Sequence, residues 1–95
     1  MIVTSFFVED DVAVKFVSWM RNYRQELSEY APRLYKVHSQ QQPGTQTFSL
    51  QVEVRDEAIA DTWNTVVLPK ISDELNARFG GKVLLFVSRL KEVKM

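Results

Sequence analysis

The chain has 95 residues with 12 basic and 12 acidic side chains, one histidine and no cysteine. This length indicates a single domain over residues 1–95. The zero formal net charge argues against nucleic-acid binding as the main activity, and the lack of cysteine excludes disulfides, thiol catalysis and cysteine metal sites.

The first strand is predicted over residues 1–9. The first helix is predicted to begin at Asp10 or Asp11 and to be stopped by Pro32. Both acids favour the positive end of the helix, and we expect one of them to cap it. Pro32 ends the helix because it disfavours α geometry at the residue before it. Spacings of three and four residues place one apolar face on this helix: Val12, Phe16, Trp19, Met20, Tyr23, Leu27 and Tyr30.

Two further strands are predicted over residues 33–41 and 45–55. The turn between them covers residues 40–44, where Pro43-Gly44 is the strong signal. The second of these strands alternates cleanly, which is typical of a sheet with one face on the core. Its apolar side is Phe48, Leu50, Val52 and Val54, and its polar side is Thr47, Ser49, Gln51 and Glu53.

The second helix is predicted over residues 56–79, with Asp56 as its cap. Its apolar face is Ile59, Trp63, Val66, Val67, Ile71, Leu75 and Phe79. Pro69 lacks an N–H and clashes one turn back, so we expect a kink or break near Leu68. Gly80 suits a left-handed cap, and the last strand is predicted over residues 82–93.

The order β-α-β-β-α-β predicts an α+β, ferredoxin-like fold. Right-handed crossovers favour a four-stranded antiparallel sheet of order 4-1-3-2 with both helices on one face. Residues 2–8 and 83–87 carry apolar groups on both sides of their strands. A lone sheet backed on one face would alternate throughout, so we expect another copy of the chain to cover the second face.

Four segments carry a resemblance to known proteins: Thr4-Ser5-Phe6-Phe7-Val8-Glu9, Trp19-Met20, Phe48-Ser49-Leu50-Gln51-Val52 and Arg78-Phe79-Gly80-Gly81-Lys82-Val83-Leu84-Leu85-Phe86. Through them the chain resembles the dimeric α+β barrel proteins. Within these it is most similar to a family of short, uncharacterised bacterial proteins, classed as a domain of unknown function and well represented in Bacteroidetes. Members often carry a His shortly after the tryptophan, where this chain has Tyr23-Arg24, so no role of that His carries over.

The resemblance implies a homodimeric barrel but no single activity. The superfamily includes cofactor-free quinone-forming monooxygenases, haem-degrading and dye-decolourising enzymes, and ligand-binding regulatory modules. Fold alone does not choose among them. In the haem-degrading relatives an Asn, a Trp and a His cooperate, and the absence of a His after the second helix weakens that interpretation.

The best ligand-binding candidates are Ser49, Gln51 and Glu53, with Thr47, on the side of a central strand that faces away from the helices. Buried polar groups between two sheets must be paired or bind something. Arg89 on the last strand could pair with Glu53, and Thr4 or Ser5 could join from the first strand. A polar dimer interface with trapped water is the alternative for the same residues.

His38 and Trp63 are weaker candidates. A lone histidine could act as a base, although Lys36 and Gln40 on its side of the strand indicate a surface position. Trp63 could shape a pocket, although its helix position favours core packing. The paired acids Asp10-Asp11 and Asp56-Glu57 begin helices, so capping is favoured over catalysis. No catalytic residue, metal ligand or cofactor is assigned.

The leading hypothesis is a cytoplasmic, non-catalytic homodimer that binds a small molecule or serves as an interaction module. No leader peptide or apolar run of membrane-spanning length is evident, so no membrane partner is expected. The alternative is a cofactor-independent monooxygenase or isomerase for an aromatic or quinone-like substrate, with Glu53 or His38 as the base and Trp63 in the pocket wall. Nucleic-acid binding ranks last because the third strand offers no aromatic groups on its polar side.

Overall fold

The computed structural model describes residues 1–38, 43–89 and 93. Its strands are β1 (Ile2–Glu9), β2 (Arg33–Lys36), β3 (Thr45–Val52) and β4 (Val83–Arg89). Its α-helices are α1 (Ala13–Tyr23), α2 (Glu57–Thr62) and α3 (Leu68–Phe79). Short 3-10 segments cover Asp10–Val12, Arg24–Tyr30 and Gly80–Lys82.

The strands β2 and β3 are shorter than the sequence predicted, and β4 begins one residue later, at Val83. Strand β2 ends at Lys36, β3 ends at Val52 and β4 is described as far as Arg89. Pro43 and Gly44 form the expected turn, whereas the predicted turn residues 40–42 and strand residues 90–92 lie outside the described residues. The α+β class and the order of elements are as predicted.

The sheet is antiparallel, and the order of its strands is β2-β3-β1-β4. Read from the opposite edge this order is 4-1-3-2, so β1 and β3 are the central strands. The register places Ser5 of β1 opposite Ser49 of β3 and Phe86 of β4. Directly paired residues lie on the same face of a sheet, so this register decides which side chains share each face.

The helices pack on one face of the sheet and form a single core with it. Phe16 of α1 contacts both central strands, with its ring centroid 5.2 Å from that of Phe6 and 5.3 Å from that of Phe48. Ile71 and Leu75 of α3 are buried in the same core. The even-numbered residues of β1 and β3 therefore point toward the helices, as the alternation in β3 predicted.

The beginning of the first helix differs from the prediction, because neither Asp10 nor Asp11 caps it. Glu9 is the N-cap residue of the 3-10 segment Asp10–Val12 and Val12 is that of α1, and neither makes a side-chain capping bond. The Asp10 carboxylate instead accepts a hydrogen bond from Gln46 Nε2 at 3.0 Å, and Asp11 pairs with Lys82. Both acids still lie in the 3-10 turn that leads into α1, at the end where the helix dipole favours negative charge.

The second helical segment contains one wide turn. Asp56 caps α2 as predicted, with its Oδ1 accepting from the Ile59 N–H at 2.9 Å. A π-helical turn covers Trp63–Val67, and the Leu68 N–H donates to the Trp63 carbonyl. Pro69 follows in the first turn of α3, where its missing N–H costs least. The backbone keeps helical dihedral angles at Val67 and Leu68, so the helix does not break near Leu68 but accommodates the proline with a π turn before it.

The end of α3 departs from the predicted cap. Gly80 has φ 60° and ψ −137°, which lies outside the left-handed helical region. The positive φ still favours glycine at this position. At the end of the 3-10 segment after α1, Ala31 leaves α geometry before Pro32 as expected, although it enters the left-handed region with φ 46°.

Candidate functional site: the open face of the sheet

The face of the sheet opposite the helices, hereafter the open face, has no covering element among the described residues. The register assigns to it Val3, Ser5, Phe7, Glu9, Arg33, Tyr35, Thr45, Thr47, Ser49, Gln51, Leu84, Phe86 and Ser88. The charged residues of this set are Arg33, on the edge strand β2, and Glu9, at the end of β1. The open face is therefore a broad surface of low charge.

One half of the open face is apolar. Phe7 is 38% exposed, Leu84 55% and Phe86 58%, and the rings of Phe7 and Phe86 meet edge to face at a centroid distance of 5.4 Å. These residues lie on β1 and β4, the two strands that the sequence showed to be apolar on both sides. Contiguous exposed apolar groups of this kind mark interaction surfaces more often than isolated ones do.

The other half of the open face is polar and contains two of the predicted ligand-binding residues. Ser49 and Gln51 lie on β3, and both are half-buried. Within the sheet, Ser49 is flanked by Ser5 on β1 and by Tyr35 on β2. The structure thus decides which first-strand residue joins them: Ser5 does, whereas Thr4 points into the core.

Three other predicted site residues lie at the margins of the sheet. Glu53 follows the end of β3 and is exposed, and its backbone N–H donates to the Tyr30 carbonyl at 2.9 Å. His38 is exposed and lies two residues beyond β2. Arg89 ends β4, where its backbone pairs with Ile2, but its side chain lies outside the described part of the chain.

Trp63 lies on the opposite side of the sheet from Ser49 and Gln51. It is fully buried, and its ring meets that of Tyr30 edge to face at 5.0 Å. Its indole N–H has no hydrogen-bond partner among the described residues. The sheet separates Trp63 from the polar half of the open face, so these predicted residues do not line one cavity.

Among the described residues, the proposed base and pocket residues of the enzymatic alternative do not come together in one site. Glu53 and His38 are both exposed, and neither belongs to the lining of any groove described below. No group of three or more His, Asp or Glu side chains within the described ranges is placed to hold a metal ion.

The described residues with shifted pKa values lie away from the open face. Burial, reinforced by the carboxylates of Glu26 and Glu74, raises the pKa of Tyr23 to about 12. A hydrogen bond from Lys82 lowers the pKa of Asp11, and the same contact raises the pKa of Lys82. Both members of this pair are exposed, so solvent screens it and its contribution to stability is small.

Sequence reasoning missed a groove on the helix side of the sheet, between α1 with its 3-10 extension and the edge strand β2. The groove has a volume of about 540 Å³, and Arg21, Arg24 and Lys36 lie at its rim. The available signal was the spacing of Arg21 and Arg24, which puts two cations on one side of a helix. A second groove of about 820 Å³ lies between α1 and α3, beside the stacked rings of Trp19 and Tyr23.

These features define an α+β domain with a four-stranded antiparallel sheet, helices on one face and a low-charge open face on the other. A search of proteins with curated descriptions gives no match. The chain belongs to the family described as a domain of unknown function (DUF4286), whose model matches residues 1–93. Among the described residues, no helix combines the length and the apolar character that a membrane crossing requires.

Proposed function

We propose that the protein is a non-catalytic homodimeric module in which two copies pack open face to open face, in the manner of a dimeric α+β barrel. The observation that carries the proposal is the exposed cluster of Phe7, Leu84 and Phe86 on β1 and β4. A second copy is the favoured occupant because the charged residues assigned to the open face, Arg33 and Glu9, are opposite in sign and lie at its margins. Two such faces can approach each other with little like-charge repulsion.

The size of the open face supports a reversible dimer. Strands β1 and β3 have eight residues, β4 seven and β2 four; at about 3.4 Å per residue and about 4.8 Å between strands, the face measures about 440 Å². Two copies would then bury roughly 900 Å², which is just below the usual lower limit for a specific interface. We therefore expect measurable exchange between monomer and dimer.

The polar half of the open face would line the centre of this interface. Ser5, Ser49 and Gln51 make no side-chain hydrogen bond within the described residues, although all three are half-buried. In a face-to-face dimer they would be removed from bulk water and would need partners. Ordered water or a small polar ligand between the two sheets would satisfy them.

The dimer is tested by light scattering after size-exclusion chromatography, or by sedimentation equilibrium, over a range of protein concentrations. We expect wild-type protein to approach twice its monomer mass as the concentration rises. The variant Leu84→Thr/Phe86→Thr keeps strand-forming residues but removes the apolar contact, and it should remain monomeric. The matched control Val14→Thr/Val66→Thr changes two exposed apolar residues on helices and should dimerise normally.

A wild-type monomer at every concentration would overturn the proposal, as would a Leu84→Thr/Phe86→Thr variant that dimerises as strongly as the control. Native mass spectrometry of the dimer purified without added ligand then addresses the polar half. A releasable extra mass that disappears in Ser49→Ala/Gln51→Ala would identify a ligand site. A dimer without extra mass would favour trapped water and a purely structural interface.

A further inference from the structure

The groove between α1 and β2 combines an apolar floor with a cationic rim. Its floor contains Val17, Met20, Leu27, Leu34, Phe48 and Leu50. Its volume of about 540 Å³ falls in the range of small-molecule sites, about 300–1,000 Å³. It opens on the helix side of the sheet, and of its lining residues only Arg33 and Tyr35, on the edge strand β2, also belong to the open face.

The charge at the groove is one-sided. Arg21, Arg24, Arg33 and Lys36 belong to the lining, and no acidic residue does. The whole chain has 12 basic and 12 acidic residues, so four cations without one acid is a local excess. Among the described residues, none of these four forms an ion pair; the ion pairs there join Lys70 to Glu26 and Lys82 to Asp11.

The positions of Arg21 and Arg24 suit a single anion. They are three residues apart at the end of α1 and the start of its 3-10 extension, so their side chains are neighbours and repel each other. A bound anion would relieve that repulsion. The planar guanidinium group also matches a carboxylate or phosphate with two parallel hydrogen bonds.

The apolar floor indicates what should be attached to the anion. Val17 and Leu34 are half-buried and leave part of their surface open to the groove. Met20 at the same floor has a flexible, polarisable side chain that adapts to different apolar shapes. A ligand that covers these groups would remove apolar surface from water while its charged end stays at the rim.

We propose that this groove binds an amphiphilic monoanion, with an apolar acyl or aromatic body on the floor and a carboxylate or phosphate held by Arg21, Arg24 and Lys36. The same chemistry is offered by a free fatty-acid-like molecule and by an anionic lipid in a bilayer. The free molecule is the favoured ligand, because a groove between a helix and a strand edge can enclose one chain end but cannot lie flush against a flat bilayer surface.

The test uses octanoate as the probe on the full chain, with binding followed by ¹H–¹⁵N correlation spectra. Octan-1-ol carries the same chain without the charge, and acetate carries the charge without the chain. We expect octanoate to shift the amide signals of residues 17–24 and 33–36, and to bind more tightly than either comparison molecule. Added salt should weaken its binding, because the rim is exposed to solvent.

The variant Arg21→Gln/Arg24→Gln should bind octanoate about five- to tenfold more weakly, since it loses two solvent-exposed charge contacts. The matched control Arg55→Gln/Arg78→Gln removes two exposed arginines that do not line this groove, and its affinity should be unchanged. Both pairs are at the surface, so unchanged spectra without ligand would verify that each variant is folded.

Four results would overturn the proposal: equal affinity for octan-1-ol, equal affinity for acetate, shifts confined to the open face, or equal loss in both double variants. Vesicles of phosphatidylcholine with phosphatidylglycerol separate the two sources of the ligand. We expect no co-sedimentation with them. Co-sedimentation that requires Arg21 and Arg24, without binding of octanoate, would assign the rim to a membrane surface and would refute a site for a free molecule.

Discussion

Replacement of Thr4 by valine should stabilise the protein, because Thr4 buries a hydroxyl group in an apolar environment. The side chain is 0% exposed, and its Oγ1 has no hydrogen-bond partner among the described residues. Its cross-strand neighbours are Leu50 and Val87, neither of which has a polar side chain. Valine keeps the branched shape and the strand preference, but it removes the group that loses its water on folding.

The size of the effect follows from the cost of burying an unpaired hydroxyl, about 1–3 kcal/mol from mutational data. We expect Thr4→Val to raise the free energy of unfolding by about 1–2 kcal/mol. For a domain of this length, each 1 kcal/mol moves the Tm by about 4–8 °C. Urea unfolding followed by circular dichroism measures the change, at one fixed protein concentration, because any dimerisation would add to the apparent stability.

Two controls separate the hydroxyl from other effects of the substitution. Thr47→Val lies on the open face and is only half-buried, so its effect should stay within about 0.5 kcal/mol. Thr4→Ala removes the same hydroxyl but also a buried methyl group, and it should be less stable than Thr4→Val. If Thr4→Val were neutral or destabilising with an unchanged m value, the hydroxyl would be satisfied in the folded protein and the reasoning would fail.

Three further predictions concern local stability. Asp56→Ala should cost about 1 kcal/mol, because it removes the cap of α2, whereas Asp61→Ala within the same helix should not; urea unfolding of both measures the difference. Ala31→Gly should stabilise the fold by about 0.5–1 kcal/mol by relieving the left-handed backbone at φ 46°. The control Ala77→Gly on α3 should destabilise it by about 1 kcal/mol. Thermal unfolding measures both, and changes of the same sign in the free energy of unfolding would contradict the prediction. The pKa of Tyr23 is raised from 10.0 to about 12, so its contribution to stability is complete below pH 10 and is lost as the pH rises toward 12. Unfolding titrations at several pH values should show that the free energy of unfolding of wild type falls by about 1–2 kcal/mol relative to that of Tyr23→Phe in this window. A pH-independent difference between the two proteins would refute the shift.

Much of the fold follows from local rules that the sequence states directly. The alternation in residues 45–55 identified the buried side of β3, since side chains on a strand alternate between faces whatever its partners are. Asp56 was recognised as a cap because the residue type and its position before an apolar helix are sufficient. Pro69 indicated a local irregularity of the helix for covalent reasons, and the structure has a π turn just before it.

The same local rules fail where a side chain has a choice of partners. Asp10 and Asp11 were expected to cap the first helix, but Gln46 and Lys82 reach them from β3 and from the segment before β4. The sequence places those partners 36 and 71 residues away, so no local pattern could reveal them. The choice between a cap and a long-range contact is made only when the chain is folded.

The candidate sites show the same division. The sequence alone determined that β1 carries apolar groups on both of its sides, and it thereby indicated an unusual second face. It did not show which residues of β1 face the helices, because Thr4 and Ser5 fit either side equally well. Pairing with β3 and β4 placed Ser5 beside Ser49 and buried Thr4. The separation of Trp63 from Gln51, and the meeting of Arg24 with Lys36 at one groove, were likewise decided only by tertiary structure. A side chain's own chemistry and spacing are written in the sequence, whereas its neighbours across a sheet or a groove depend on how distant segments pack.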